Sequence, residues 1–169
     1  MKIYQLIIIL TLVSCDRNMP GGFWKNFDKK SIVKNESDQG PYGGRRVIHW
    51  ETSSAGTYNQ KTITDFAASN GWTLADTLKL IKLDIEDWIS YDKLVFPIYL
   101  RGDHKKWTED DLSGYTEFER YIDADLTVYR FKTDWVLIYP GTNESTFENG
   151  YILVDKEERK MTLYQLWGE

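Results

Sequence analysis

The chain has 169 residues, of which 26 are acidic and 21 are basic, and its net charge is −5. This acidic balance disfavours a nucleic-acid partner, because binding to phosphate groups requires positive charge. The single cysteine excludes both an internal disulfide and a zinc site built on a pair of cysteines. The length predicts one domain with its own core rather than two.

The first fifteen residues have the layout of an export signal. A positive charge at Lys2 is followed by an apolar stretch from Leu6 to Val13 and then by the small Ser14 and by Cys15. A membrane-spanning helix needs about 20 apolar residues, and this stretch is much shorter. The segment therefore suits recognition by the export machinery and not permanent insertion as a helix.

The end of this segment, Leu12 to Cys15 (LVSC), resembles the lipobox of bacterial lipoproteins. The resemblance covers residues 1–15 only. It implies a signal peptide over residues 1–14, cleavage before Cys15 and a diacyl lipid on the Cys15 sulfur. The protein would then be anchored to a membrane of the bacterial cell envelope and face the periplasm. Lipidation also explains why an exported chain keeps one unpaired cysteine.

Residues 15–44 are predicted to be the lipid-bearing cysteine and a flexible tether. Residues 16–44 contain five glycines and two prolines and have no apolar periodicity. Phe23, Trp24 and Phe27 do not fit a solvated linker. We expect these rings either to dock on the domain or to touch the membrane interface, and docking is the favoured alternative.

Residues 45–169 are predicted to form one small α+β domain. A helix is expected over residues 62–69, with Asn70-Gly71 as its stop signal, followed by a strand over 72–78. Weaker patterns predict a helical turn at 84–89, a strand at 94–100 with Pro97 directing it to an edge, and a short helix reaching Ile122.

The C-terminal third contains four runs of β-branched and aromatic residues at 126–131, 134–140, 150–154 and 161–167. Their lengths and the turn residues between them predict an antiparallel meander. Both faces of these runs are apolar, so one side must be covered, and the helix at 62–69 is the expected cover. The predicted fold is a C-terminal antiparallel β-meander packed against one or two short helices.

The inventory of catalytic residues is small. The sequence has no recognisable nucleophile, nucleotide-binding or metalloprotease motif, and no cofactor or metal is predicted. His49 beside Trp50 is interpreted as a structural histidine and His104 as a surface residue. The spacing of a calcium loop starts at Asp123, but it lacks the glycine and the final glutamate that such loops need.

Negative charge is concentrated in residues 84–125, which hold twelve acidic and five basic residues, a net charge of −7. Most tryptophans, including Trp72 and Trp135, are expected in the core, whereas Trp107 in HKKWTEDD is expected to be exposed. The predicted partner-binding residues are Trp107, Glu109, Asp110 and Asp111. An exposed tryptophan among acidic residues predicts a non-enzymatic module that binds a basic protein, for example as an immunity-type inhibitor of a basic exported toxin.

The alternative is a lipoprotein that binds or hydrolyses glycans. Tryptophan rings stack on sugars, and paired carboxylates such as Glu117 and Glu119 could act as the acid and base of a glycosidase. Hydrolysis requires two carboxyl groups at a defined separation across a cleft, which sequence spacing does not establish. The missing catalytic motifs favour the protein-binding hypothesis.

Overall fold

A computed structural model of the chain describes residues 19–80, 125–138 and 143–168. This part of the chain is mostly antiparallel sheet with a single short α-helix. Two 3-10 helices, Gly22–Asn26 and Lys29–Ser31, precede the first strand. The helix is α1 (Gln60–Ser69), and the strands are β1 (Ile32–Gln39), β2 (Gly43–Glu51), β3 (Thr73–Leu80), β4 (Leu126–Lys132), β5 (Leu137–Ile138), β6 (Ser145–Thr146), β7 (Gly150–Asp155) and β8 (Lys160–Gly168).

The main sheet has the strand order β1-β2-β8-β7-β4-β3, and all of its neighbours are antiparallel. The short strand β5 pairs with β6 and meets the end of β8 in parallel, at Leu137 and Gly168. β2 lies between the N-terminal strand β1 and the C-terminal strand β8. Segments that are far apart in the sequence therefore meet at the centre of the sheet.

The core lies on one face of the sheet, which we call the first face. Helix α1 covers it with Ile63 and Ala67, and its first turn is capped by the Asn59 side chain, which accepts a hydrogen bond from the Thr62 N–H at 3.0 Å. Gly71 ends the helix with a φ of 88°, a conformation that favours glycine. The sheet contributes buried side chains from four strands, Ile48, Trp50, Tyr129, Phe131, Ile152, Val154, Met161 and Leu163.

The opposite, second face also carries buried side chains near the middle of the sheet. Val47, Val128 and Leu153 lie there, and so does His49, whose burial agrees with its predicted structural role. The helical elements of the described chain pack on the first face through the core cluster.

Several elements agree with the sequence-based predictions. The helix and the strands β3, β4, β7 and β8 lie within a few residues of their predicted bounds, and β4, β7 and β8 are consecutive antiparallel neighbours. The run at 134–140 differs, because only Leu137–Ile138 is a strand within its described part and it lies off the main strand order. The turn at 84–89, the strand at 94–100, the helix near 116–122 and His104 lie outside the described residues.

The prediction of a flexible tether over residues 15–44 is wrong for the residues that the structure describes, 19–44. Trp24 is fully buried, and its ring centroid lies 6.4 Å from that of Trp50 and 5.8 Å from that of Trp72. Phe27 is buried beside it, and its backbone oxygen accepts a hydrogen bond from Trp50 Nε1 at 2.9 Å. The favoured alternative, in which these aromatic rings dock on the domain, is confirmed.

The physical reason for this error is local. Residues 22–31 contain two 3-10 helices, which are too short to show an apolar period. Strand β1 is an edge strand with mostly exposed, polar side chains, so its sequence IVKNESDQ reads as a solvated linker. Residues 20–44 therefore pack as part of the described fold and not as a linker before residue 45.

Candidate functional site

The two ends of the sheet differ in chemistry. At one end, which we call the aromatic end, lie the first residue of β2, Gly43, and the last residue of β8, Gly168, which pair with each other. Three exposed aromatic residues also lie at this end, Tyr42, Trp135 and Phe147. The other end, the charged end, contains Glu51, Asp155 and Lys160 at the ends of β2, β7 and β8.

Tyr42 lies in the tight turn between β1 and β2 and is 77 % exposed. The turn is closed by a hydrogen bond of 2.7 Å from the Gly40 N–H to the Gly43 oxygen. Gly168 lies against this turn with a φ of 81°, and a Cβ at this position would overlap the Tyr42 backbone oxygen. The close approach fixes the C-terminal end of β8 beside Tyr42.

The segments that carry Trp135 and Phe147 are held by a buried polar network. Asn149 is fully buried, and its amide donates hydrogen bonds to the backbone oxygens of Trp135 at 2.9 Å and Leu166 at 2.7 Å. The Thr133 hydroxyl donates to Asn149 Oδ1 at 2.6 Å, and the Thr133 N–H donates to the Phe147 oxygen at 2.8 Å. The backbone of these two segments is therefore held in place by buried hydrogen bonds, although the rings of Trp135 and Phe147 are exposed.

The position of Trp135 corrects the prediction that it belongs to the core. Its side chain is 44 % exposed, whereas Trp72 is buried as expected. The apolar alternation of residues 134–140 suggested a buried strand, but the first residues of this run form a bend fixed by Thr133. Phe147, at 47 % exposure, and Tyr42 lie in turns without periodicity, so sequence patterns do not distinguish them from core residues.

An ion-pair network lies on the second face near the aromatic end. Arg130 pairs with Asp76 on β3 and with Glu148, whose carboxylate is 3.4 Å from the guanidinium. Burial lowers the pKa of Arg130, but the hydrogen bond and charge of Asp76 outweigh this effect and raise the pKa above its ordinary value. Arg130 is therefore a permanent cation that links β3, β4 and the residues before β7.

The charged end contains an open cleft of about 550 Å³. Its lining comprises acidic, basic and hydroxyl side chains, Glu51, Thr52, Ser53, Asp155, Glu157, Arg159 and Lys160. Arg159 forms an ion pair with Glu157, so part of this charge is neutralised within the cleft.

The carboxylate of Asp155 has a structural role. Its Oδ1 atom accepts hydrogen bonds from the backbone N–H groups of Arg159 and Lys160, both at 2.7 Å, and so holds the turn between β7 and β8. The neighbouring Thr52 N–H donates to the Arg159 oxygen at 3.0 Å, which joins this turn to the residues after β2. The cleft thus offers polar contacts to a ligand, but its central carboxylate is already committed to the turn.

The acidic middle segment, residues 84–125, joins the sheet at the charged end. β3 ends at Leu80, which pairs with Leu126 at the start of β4, and Leu126 pairs in turn with Asp155. Asp125 is tied to the same turn, because its oxygen accepts a hydrogen bond of 3.1 Å from the Lys156 N–H. The chain between β3 and β4, residues 81–125, therefore begins and ends at the charged end.

The predicted site residues Cys15, Trp107, Glu109, Asp110 and Asp111 lie outside the described residues, as do Glu117 and Glu119. Within the described ranges, no three histidine, cysteine, aspartate or glutamate side chains come together as a group able to hold a metal ion. None of the helices in those ranges has both the length and the apolar character needed to cross a membrane.

Comparison with known proteins gave no matching family model, no matching curated protein and no matching solved structure.

Proposed function

We propose that this protein is a lipid-anchored component of the bacterial cell envelope that binds a basic protein without catalysing a reaction. In this proposal a small α+β domain is attached to the membrane through a lipid on Cys15. The acidic middle segment, with Trp107, Glu109, Asp110 and Asp111, forms the partner-binding surface. The observation that supports the proposal best is that the N-terminal segment and the acidic middle segment meet the sheet at different positions along its strands.

The N-terminal attachment lies closer to the aromatic end than to the charged end. Pro20 is buried, and its backbone oxygen accepts a hydrogen bond of 2.8 Å from Nε of Arg46, the fourth residue of β2. The middle segment joins the sheet at the opposite end, beyond the last residue of β2. Arg46 and Glu51, the last residue of β2, are five residues apart, about 17 Å at the usual rise of a strand. A lipid anchor on one side and an acidic segment on the other suit a protein that presents a binding surface away from its membrane.

The charge of the middle segment determines the class of partner. A net charge of −7 over residues 84–125 attracts a basic protein and accelerates encounter, and the attraction is screened beyond about 8 Å at physiological salt. Affinity depends mainly on a few desolvated aromatic side chains, and Trp107 is the first candidate. A basic toxin exported by the same or a neighbouring cell is a partner of this kind.

The anchor is tested with the Cys15→Ala variant. We expect the wild-type protein to incorporate labelled fatty acid and to be cleaved before residue 15, and the variant to do neither. Unchanged labelling of the variant would rule out Cys15 as the lipidated residue.

The binding surface is tested with two sets of charge variants in the lipidated protein. One set changes Glu109→Gln, Asp110→Asn and Asp111→Asn. The matched control removes the same charge from exposed acids of the described fold, Glu36→Gln, Asp38→Asn and Asp134→Asn. For a basic partner captured from envelope extract, we expect the first set to slow association and to flatten its salt dependence, and the control set to leave both nearly unchanged.

Trp107→Ala is expected to act differently, by accelerating dissociation at a cost of about 2 kcal/mol in binding free energy. Equal effects of the two charge sets would mean that net charge, and not the middle segment, controls binding. Recovery of a glycan ligand whose binding is insensitive to salt would contradict the protein-binding proposal and favour the alternative.

A further inference from the structure

We propose that the aromatic end lies against the lipid headgroup layer of the membrane that carries the anchor, with Tyr42, Trp135 and Phe147 in contact with lipid. This orientation rests on the proposed function, because it assumes the lipid on Cys15. It adds the identity of the surface that faces the membrane.

The distribution of exposed apolar side chains supports this surface. Four large hydrophobic side chains are exposed among the described residues, and three of them, Tyr42, Trp135 and Phe147, lie at the aromatic end. The fourth, Val33, lies on the edge strand β1 near the charged end, because the preceding residue pairs with Trp50. Exposed aromatic rings that share one end of a domain mark an interaction surface.

The short link between Cys15 and the fold is the reason for proposing the membrane as the partner of this surface. Only four residues, 16–19, separate Cys15 from the buried Pro20. A fully extended chain advances at most about 3.6 Å per residue, so Pro20 lies no more than about 18 Å from the lipidated cysteine. The point at which the chain enters the fold is therefore held close to the membrane surface.

The point of entry favours the aromatic end over the charged end. Arg46, which binds the Pro20 oxygen, is three residues from Gly43 and five from Glu51. At about 3.3 Å per residue, these separations are about 10 Å and about 17 Å. From Pro20 the chain continues to Phe27, which contacts Trp50 and so leads away from the aromatic end. The aromatic end is thus the closer of the two ends to the anchored position.

The chemistry of the three rings suits this location. Tryptophan and tyrosine are enriched at membrane interfaces, where the ring contacts the acyl boundary and the polar group contacts headgroups and water. The Asn149 network fixes the backbone at Trp135 and Phe147, so these rings are presented without the conformational cost of ordering a mobile loop.

The orientation is tested in vesicles of phosphatidylethanolamine and phosphatidylglycerol that carry the lipidated full chain. The chain has one cysteine, and lipidation consumes it, so an introduced cysteine accepts a spin label at a unique position. Asp134→Cys places the label beside Trp135, and Ser53→Cys places a matched label on an exposed residue at the charged end. Collision with oxygen and with a water-soluble nickel complex reports the depth of each label.

We expect the label at position 134 to lie in the headgroup layer, with several-fold less collision with nickel than the label at position 53. Replacing all three rings, by Tyr42→Ala, Trp135→Ala and Phe147→Ala, should return the label at 134 to water. Val33→Ala, which removes the fourth large exposed hydrophobic side chain of the described residues, should leave the label depths unchanged.

Three results would overturn the orientation. Equal exposure of both labels to water, in a protein whose mass confirms the lipid on Cys15, would contradict the orientation and leave the proposed anchor intact. Burial of the label at 134 only after envelope extract is added would assign the aromatic end to a protein partner. A mature chain without lipid on Cys15 would overturn the orientation and the proposed anchor together, and mass spectrometry identifies that case.

Discussion

The aromatic end and the charged end belong to the same antiparallel sheet, yet they use their residues in opposite ways. At the charged end, Asp155 and its neighbours bind one another, and the polar groups mainly stabilise the turn between β7 and β8. At the aromatic end, the buried Asn149 stabilises the backbone and the aromatic rings remain available to solvent. At the aromatic end, the residue that stabilises the backbone is therefore not one of the exposed aromatic residues. The aromatic end is for this reason the stronger candidate for an interaction surface among the described residues.

The largest expected effect tests whether the entry segment, residues 20–27, is part of the fold, because the position of the anchor relative to the two ends depends on it. Trp24→Ala removes a fully buried ring that packs against Trp50, Trp72 and Phe131. We expect the free energy of unfolding to fall by about 3–5 kcal/mol in denaturant titrations of the full chain. Val33→Ala, at an exposed position, is the control and should change it little. Equal, small changes would mean that residues 20–27 behave as a tether.

The second prediction concerns the network that fixes the aromatic end. Asn149→Ala leaves the backbone oxygens of Trp135 and Leu166 without their donor, and we expect a loss of about 2–3 kcal/mol. Amide hydrogen exchange should accelerate at residues 135–138. The exposed amide of Asn70, which donates to the Phe66 oxygen, provides the control, and Asn70→Ala should cost much less. Unchanged exchange at residues 135–138 in Asn149→Ala would refute the role of the network.

A third prediction separates close packing from backbone strain with two glycines at opposite ends. Gly168 and Gly56 both have positive φ values, of 81° and 75°. A Cβ at Gly168 would overlap the Tyr42 backbone, whereas at Gly56 the nearest atom is 3.9 Å away. Gly168→Ala should therefore destabilise the protein by about 1 kcal/mol more than Gly56→Ala. Equal losses in thermal unfolding would show that β8 does not pack closely against the turn that carries Tyr42.

The smallest expected effect concerns the charges near the aromatic end. Asp76→Asn breaks a half-exposed ion pair with Arg130, and we expect a loss of about 0.5 kcal/mol that disappears at high salt. Asp134→Asn removes an exposed carboxylate at the same end and should have almost no effect. A loss above about 2 kcal/mol for Asp76→Asn would mean that charge, and not the buried Asn149 network, holds this end together.

Sequence patterns predicted the elements whose side chains alternate or repeat clearly. Helix α1 has apolar residues at helical spacing and a glycine stop, and β7 and β8 are rich in β-branched and aromatic residues. Strand β2 was not predicted, because it begins with two glycines and two arginines, and the buried Arg46 gives no apolar signal. The exposed aromatic end was missed because exposure depends on which segments meet in three dimensions. The partner-binding residues of the middle segment remain a prediction.

The position of β8 between β2 and β7 has a consequence for how the chain reaches its native state. Trp167 Nε1 donates a hydrogen bond of 3.0 Å to Gln39 Oε1, across 128 residues of sequence. The described part of the sheet joins its N-terminal strands to the rest through β8, which follows all of these strands in the chain. Loop closure over such a separation is slow compared with local pairing, so folding is expected to be slow for a chain of this size. A chain that stops at residue 159 would retain the residues of α1 and of the seven earlier strands but would lose the strand that joins the two halves of the sheet.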